Sequence, residues 1–210
     1  MKTYLFALIL SLQYFTTGSV LNTKFVSTVV PPLLDVPTYS LATSSGSGRT
    51  AMNILTYATP VSSKPQRMWC ISLFKGTQSH ENFSREKWGV LQLLSPVHSN
   101  IVKLLGGSSS RDVIKEDACE ALGQKWIEYD SDIKLLPNCV GYLRLVQVGT
   151  AIDCGAHDLV ICVVEDMFFE KSTHNCTLTE SWTSDTFPRL LSTSSLRTLG
   201  IINDVGRVVQ

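Results

Sequence analysis

Two β-rich runs near the middle of the chain constrain its fold most. Val140 to Ile152 and Asp158 to Val164 are separated only by Asp153-Cys154-Gly155-Ala156-His157, a spacing that predicts an antiparallel hairpin with a five-residue connection. Strand character recurs upstream. Tyr39-Ser40-Leu41-Ala42-Thr43 alternates, Ser44 to Gly48 reads as a flexible turn, and Thr50 to Ala58 resumes an extended run, so these segments read as a second hairpin. Met68 to Leu73 is nearly continuously apolar, which predicts a strand buried on both faces, and Trp88 to Leu94 reads as another. A short strand is expected at Lys125 to Tyr129.

Helical signals are fewer. One helix is predicted over Ser79 to Lys87, with Ser79 as N-cap and Asn82 standing where a capping-box Glu would. A second runs from Pro96 to Leu105 and stops at Gly106-Gly107. Ser108 to Asp117 reads as a loop. The segment after Phe168 is rich in Ser and Thr and patterned only over Leu190 to Ile202, which reads as a wrapping tail. Many strands with two short helices and no repeat predict a mostly β, α+β fold of the small-barrel kind rather than alternating βαβ units.

Residues 1–36 read as a targeting leader ahead of one domain over 37–210. Lys2 gives a positive start, Tyr4 to Leu12 an apolar run broken only by Ser11, and Thr16 to Ser19 the small residues of a cleavage region. Val20 to Leu34 carries one charge, Lys24, as in the second half of a bipartite plastid signal. The leader therefore implies a plastid or extracellular destination. Six cysteines, Cys70, Cys119, Cys139, Cys154, Cys162 and Cys176, form no CxxC pair, and the expectation is mostly buried thiols rather than a disulfide framework. The apolar fraction of 44% is ample for a core, and 18 Lys plus Arg against 18 Asp plus Glu leave no electrostatic footprint for nucleic acid.

Familiar catalytic motifs are missing. Gly46 and Gly48 have no third glycine at dinucleotide-fingerprint spacing, Gly106-Gly107 leads to no P-loop Lys, there is no Gly-x-Ser-x-Gly elbow, and His80, His98, His157 and His174 lack metal-ligand spacing. No metal site is expected.

Several segments in order nevertheless resemble the flavin reductase-like family with the FMN-binding split-barrel fold. Tyr39 to Thr43 and its glycine turn precede Asn53-Ile54-Leu55-Thr56-Tyr57-Ala58-Thr59-Pro60-Val61-Ser62, which is similar to the family's N-x-x-T-x-x-x-x-P-V-S stretch. Cys70 to Asn82 resembles the strand, Ser/Thr and basic loop, and helix that follow; Trp88 to Leu94 resembles the next strand; Gly155-Ala156-His157-Asp158-Leu159 resembles a Gly-Asp-His-Thr-like loop, with Ala156 where Asp is usual. The match spans roughly residues 37 to 168.

The resemblance implies an oxidoreductase that binds FMN, takes hydride from NAD(P)H and passes electrons to free flavin, oxygen or a partner protein, acting as a homodimer; the sequence itself compels no general acid or base. It implies ring contacts from Asn53, Leu55, Thr56, Tyr57, Ala58 and Thr59, phosphate contacts from Ser72, Lys75 and Thr77, and a catalytic place for His157 beside the flavin and nicotinamide. Each has a plainer reading: Ser72 and Thr77 as a helix cap, Lys75 as a solvated charge, His157 as an exposed loop residue. The rival classes are a secreted, disulfide-stabilised β-domain glycosylated at Asn82 and Asn175 and acting in binding, and a flavin- or haem-binding member without turnover.

Overall fold

The computed structural model describes residues 33–130, 132–170 and 189–209. The chain divides after Leu33, and the fold described here is that of the following unit. The expected leader lies almost wholly outside the described residues, as do Cys176 and the Asn175 sequon.

Among the described residues, ten strands carry the fold: β1 (Tyr39–Ser44), β2 (Thr50–Leu55), β3 (Ala58–Ser62), β4 (Met68–Phe74), β5 (Trp88–Leu93), β6 (Ile127–Asp130), β7 (Ile133–Leu135), β8 (Gly141–Gln147), β9 (Ile152–Cys154) and β10 (His157–Phe168). Eight form one curled antiparallel sheet in the order β2-β1-β5-β8-β10-β4-β3, with β9 on β10; β6 and β7 form a separate ribbon. The helices are α1 (Gln78–Glu86), a 3-10 turn (Pro96–Ile101) running into α2 (Val102–Gly107), α3 (Lys115–Ala121) and α4 (Thr193–Thr198). This is the mostly β, half-barrel architecture expected from the sequence.

Side chains alternate across a strand, and the sheet uses both faces. Tyr39, Leu41, Leu91, Leu143 and Leu145 enter one apolar cluster closed by Phe83 of α1. Their neighbours Ala42, Val90 and Tyr142 enter a second, with Leu105 of α2, Cys119 of α3 and Leu196 of α4. All six residues of β1 are therefore buried. The tail wraps as expected: the Thr38 amide donates to Leu191 O at 2.7 Å, and Leu191 and Ile202 join the core.

Several expectations are corrected. The strands covered on both faces are β1 and the middle of β5, whereas in β4 only Ile71 and Leu73 are fully buried, because its neighbour β3 is a largely exposed edge. The long hairpin turns tightly: Cys154 pairs with His157, leaving a two-residue Gly155-Ala156 loop with Gly155 at φ +75°. Helix α1 is capped by Thr77, whose Oγ1 accepts from the His80 amide at 3.2 Å, not by Ser79. Gly106 and Gly107 lie inside the last turn of α2, which ends as Ser108 becomes extended. Helix α3 begins within the expected loop, and its N-cap Ile114 offers no side-chain cap.

Among the described residues, two supports of the secreted-domain rival fail. Cys70, Cys119, Cys139, Cys154 and Cys162 are all free thiols, and Cys119, Cys139 and Cys162 are buried. Burial pushes the Cys119 thiol up to about 11 and Cys162 to about 12, which makes both unreactive. Asn82 is fully buried, and its amide donates to Thr43 Oγ1 at 3.3 Å, so no glycan fits there in the folded protein.

Gly89 marks a close backbone approach in the sheet. A Cβ there would sit 2.9 Å from Ala42 O and 3.3 Å from Leu41 Cδ1. Gly89→Ala should lower unfolding stability by about 1–3 kcal/mol, the usual cost of overpacking; an unchanged denaturation midpoint would show that β1 yields freely.

Candidate functional site

A cavity of about 520 Å³ opens where β2 leaves the sheet, within the size range of small-molecule sites. One wall is the chain from Met52 to Tyr57. A second is Ser72 and Phe74 of β4 with Gly76, Thr77, Gln78 and Ser79 at the start of α1. The others are Leu105 to Ser110 with Lys115, His157 of β10, and the Val205-Gly206-Arg207 turn of the tail.

Each wall has a local cause. β2 ends at Leu55 and β3 begins at Ala58, so Thr56 and Tyr57 form a crossing whose Tyr57 carbonyl accepts from the Ser72 amide at 2.9 Å. Thr77 Oγ1 donates to Phe74 O at 2.9 Å while capping α1, which folds the Phe74–Thr77 turn onto the cavity. At the first two helical positions, the Gln78 and Ser79 amides have no carbonyl within the helix to reach. His157 is half-buried, opposite Phe74 in register, with its ring edge-on to Phe74 (centroids 5.2 Å apart) and to Tyr57 (5.7 Å).

Of the residues expected from the sequence, the cavity gathers Asn53, Leu55, Thr56, Tyr57, Ser72, Thr77 and His157. It does not include Ala58, Thr59 or Lys75. Ala58 and Thr59 pair with Ile71 and Cys70 along β3, away from the lining. Lys75 is a partly exposed cation held in ion pairs rather than a free one. Its Nζ lies 2.8 Å from Asp153 Oδ1 and 3.3 Å from Asp158 Oδ1, and its amide donates to Ala156 O at 3.0 Å. Asp158 Oδ2 also meets His80 Nε2 at 2.7 Å, and Asp153 Oδ1 accepts from the Gly155 amide at 2.8 Å. Lys75 and His80 thus clamp the turn that carries His157 onto the α1 start.

Sequence reasoning missed Lys115, the Gly106–Ser110 wall and Arg207. Lys115 is 5% exposed, and its Nζ donates to Met52 O at 2.8 Å and Leu105 O at 2.6 Å. Burial pulls its pKa down to about 8, against a smaller opposing effect of Cys119. Asn53 Oδ1 is shielded from solvent and has no hydrogen-bond partner.

This fold and cavity define a split-barrel protein with a cavity of small-molecule size between β2, β4 and the β9–β10 turn. The flavin reductase like domain profile matches residues 36–184, and the chain belongs to the flavin reductase-like family, whose chemistry is that of flavin-related oxidoreductases. Solved structures share the fold. Flavoredoxin from Methanosarcina acetivorans superposes with a TM-score of 0.63 at 12% identity over 81% of this chain and 87% of that one. An FMN-binding protein from Thermus thermophilus gives 0.58 at 15% over 72% and 83%. The NADH:FAD oxidoreductase SgcE6 of Streptomyces globisporus gives 0.55 at 14% over 65% and 76%. No curated protein matches the sequence.

The clamp has a defined acid limit. The hydrogen bond from His80, and then Lys75, hold the Asp158 carboxyl below its ordinary value of 3.8. A depressed carboxyl contributes fully above its unfolded value and loses that contribution as pH falls through the lower folded value. Hydrogen exchange at the Lys75 amide should therefore stay protected down to about pH 4 and lose protection below it. In Asp158→Asn the same loss should appear at pH 7; full protection in that variant would show the ion pairs to be dispensable.

Proposed function

We propose that this cavity binds FMN, and that the protein accepts hydride from NAD(P)H and passes electrons to free flavin, oxygen or a partner protein. The observation that carries the reading is the convergence on one cavity of Asn53–Tyr57, the β4–α1 turn and His157, three segments far apart in the chain. Bound FMN would supply the redox chemistry that no side chain here provides.

The residues fit that group. The free Gln78 and Ser79 amides at a nine-residue helix start, with the Ser79 hydroxyl, suit a phosphate. Thr77 contributes by holding the turn, since its hydroxyl is already committed to Phe74 and His80. Asn53 and the Tyr57 wall offer polar and flat contacts for the ring. Lys75 acts on the site through the clamp rather than as a phosphate cation. His157, fixed between Tyr57 and Phe74, orients the hydride donor.

Family membership also supports a homodimer. Tyr57 is 64% exposed and Phe74 43% at the cavity, with Val61 (52%) and Ile152 (54%) on nearby strands, an apolar face that a second copy would cover. The leader would direct the protein to a plastid or the secretory route.

The visible spectrum of the purified protein should show bound oxidised flavin; a colourless protein that takes up no FMN would refute the assignment. His157→Ala should retain FMN and thermal stability while slowing NAD(P)H-dependent reduction about 10- to 100-fold in stopped-flow, the range for losing one orienting contact. Wild-type kinetics in that variant would make the turn purely structural.

A further inference from the structure

We infer that Lys115 and Asn53 form a subsite for the pyrimidine edge of the flavin ring, with Lys115 donating to a ring carbonyl and Asn53 accepting from the ring imide N–H. The inference rests on the proposed binding of FMN.

Lys115 opens α3, yet its side chain is buried against β2 and α2, and both carbonyls it meets belong to residues that line the cavity. An ammonium has three protons to donate, and two carbonyls leave one over. Among the described residues no carboxylate lies within ion-pair reach of it. A buried cation without a counter-charge is costly, and an apolar side chain of similar length would fill the position without that cost. The pKa of about 8 still leaves it mostly charged at neutral pH. Lys115 therefore presents an unspent, charged donor to the cavity.

Asn53, on the wall next to Met52, presents the complement: a shielded Oδ1 without a donor. A ligand edge that satisfies both must carry an acceptor and a donor together. A phosphate would satisfy Lys115 but, as an acceptor-only group, would leave Asn53 Oδ1 unpaired. The pyrimidine edge of a flavin alternates C2=O, N3–H and C4=O, and pairs both. A cation at this edge also favours the reduced flavin, in which negative charge gathers along N1 and C2=O.

The test uses the full chain stripped of flavin and titrated with riboflavin, which lacks the phosphate, and with FMN. Lys115→Met should weaken both by a similar 10- to 100-fold, as expected for a charge-assisted hydrogen bond. It should weaken the reduced form more than the oxidised one, so that the potential of the bound flavin falls. Loss confined to FMN would place Lys115 on the phosphate. Equal loss for the two redox forms would make it only a strut between β2 and α2. Either result overturns the inference while leaving FMN binding intact. Should Lys115→Met fail to fold, unsubstituted protein decides the matter: it should bind lumiflavin at least tenfold more tightly than 3-methyllumiflavin, and Asn53→Leu should erase the difference. Equal affinity of unsubstituted protein for the two probes overturns the subsite, whereas failure to bind any flavin overturns the proposed function with it.

Discussion

A β-strand has two edges, and in this protein three strands compete for those of β10. One edge is taken along His157 to Val163 by β4. The other is divided, β9 holding His157 to Leu159 and β8 holding Cys162 to Phe168, with a register shift between Val164 and Asp166. Because hydrogen-bond register fixes which side chains meet, this sharing sets His157 opposite Phe74 and Asp158 opposite Leu73. The aromatic end of the cavity and the ion-pair clamp beside it both follow from that register.

The second dependency is the burial of the central strands on both faces. Helix α1 covers one side and α2, α3 and α4 the other, so the β1–β5 pairing cannot shift without moving two cores at once. The cavity sits where this double cover lapses, at the end of β2, and its polar groups are there because the chain changes direction. Thr56 and Tyr57 line a crossing between strands rather than a strand interior, and face Ser72 of β4.

Strands were legible because alternation is a local property: β1, β2, β5 and the paired runs of β8 and β10 can be read within a few residues of their ends. Helix starts were less so. Thr77 caps α1 only because the Phe74 carbonyl is turned back to receive its hydroxyl, and α3 has no side-chain cap at all. The lining of the cavity was legible where a motif carries it, in Asn53, Leu55, Thr56, Tyr57, Ser72, Thr77 and His157. Lys75 misled because Asp153 and Asp158 approach it only once β4 and β10 have paired. Lys115 left no trace in its own neighbourhood, since one of its two acceptors, Met52 O, lies 63 residues away.

The wall formed by Val205, Gly206 and Arg207 has a consequence for biosynthesis. Val208 rests against Gly106 and Gly107, whose missing side chains leave it room; a Cβ on Gly106 would lie 3.3 Å from it. This turn follows every other wall segment in the chain, so it emerges from the ribosome last. A nascent chain therefore holds an incomplete pocket until Val208 has been made and has packed against α2.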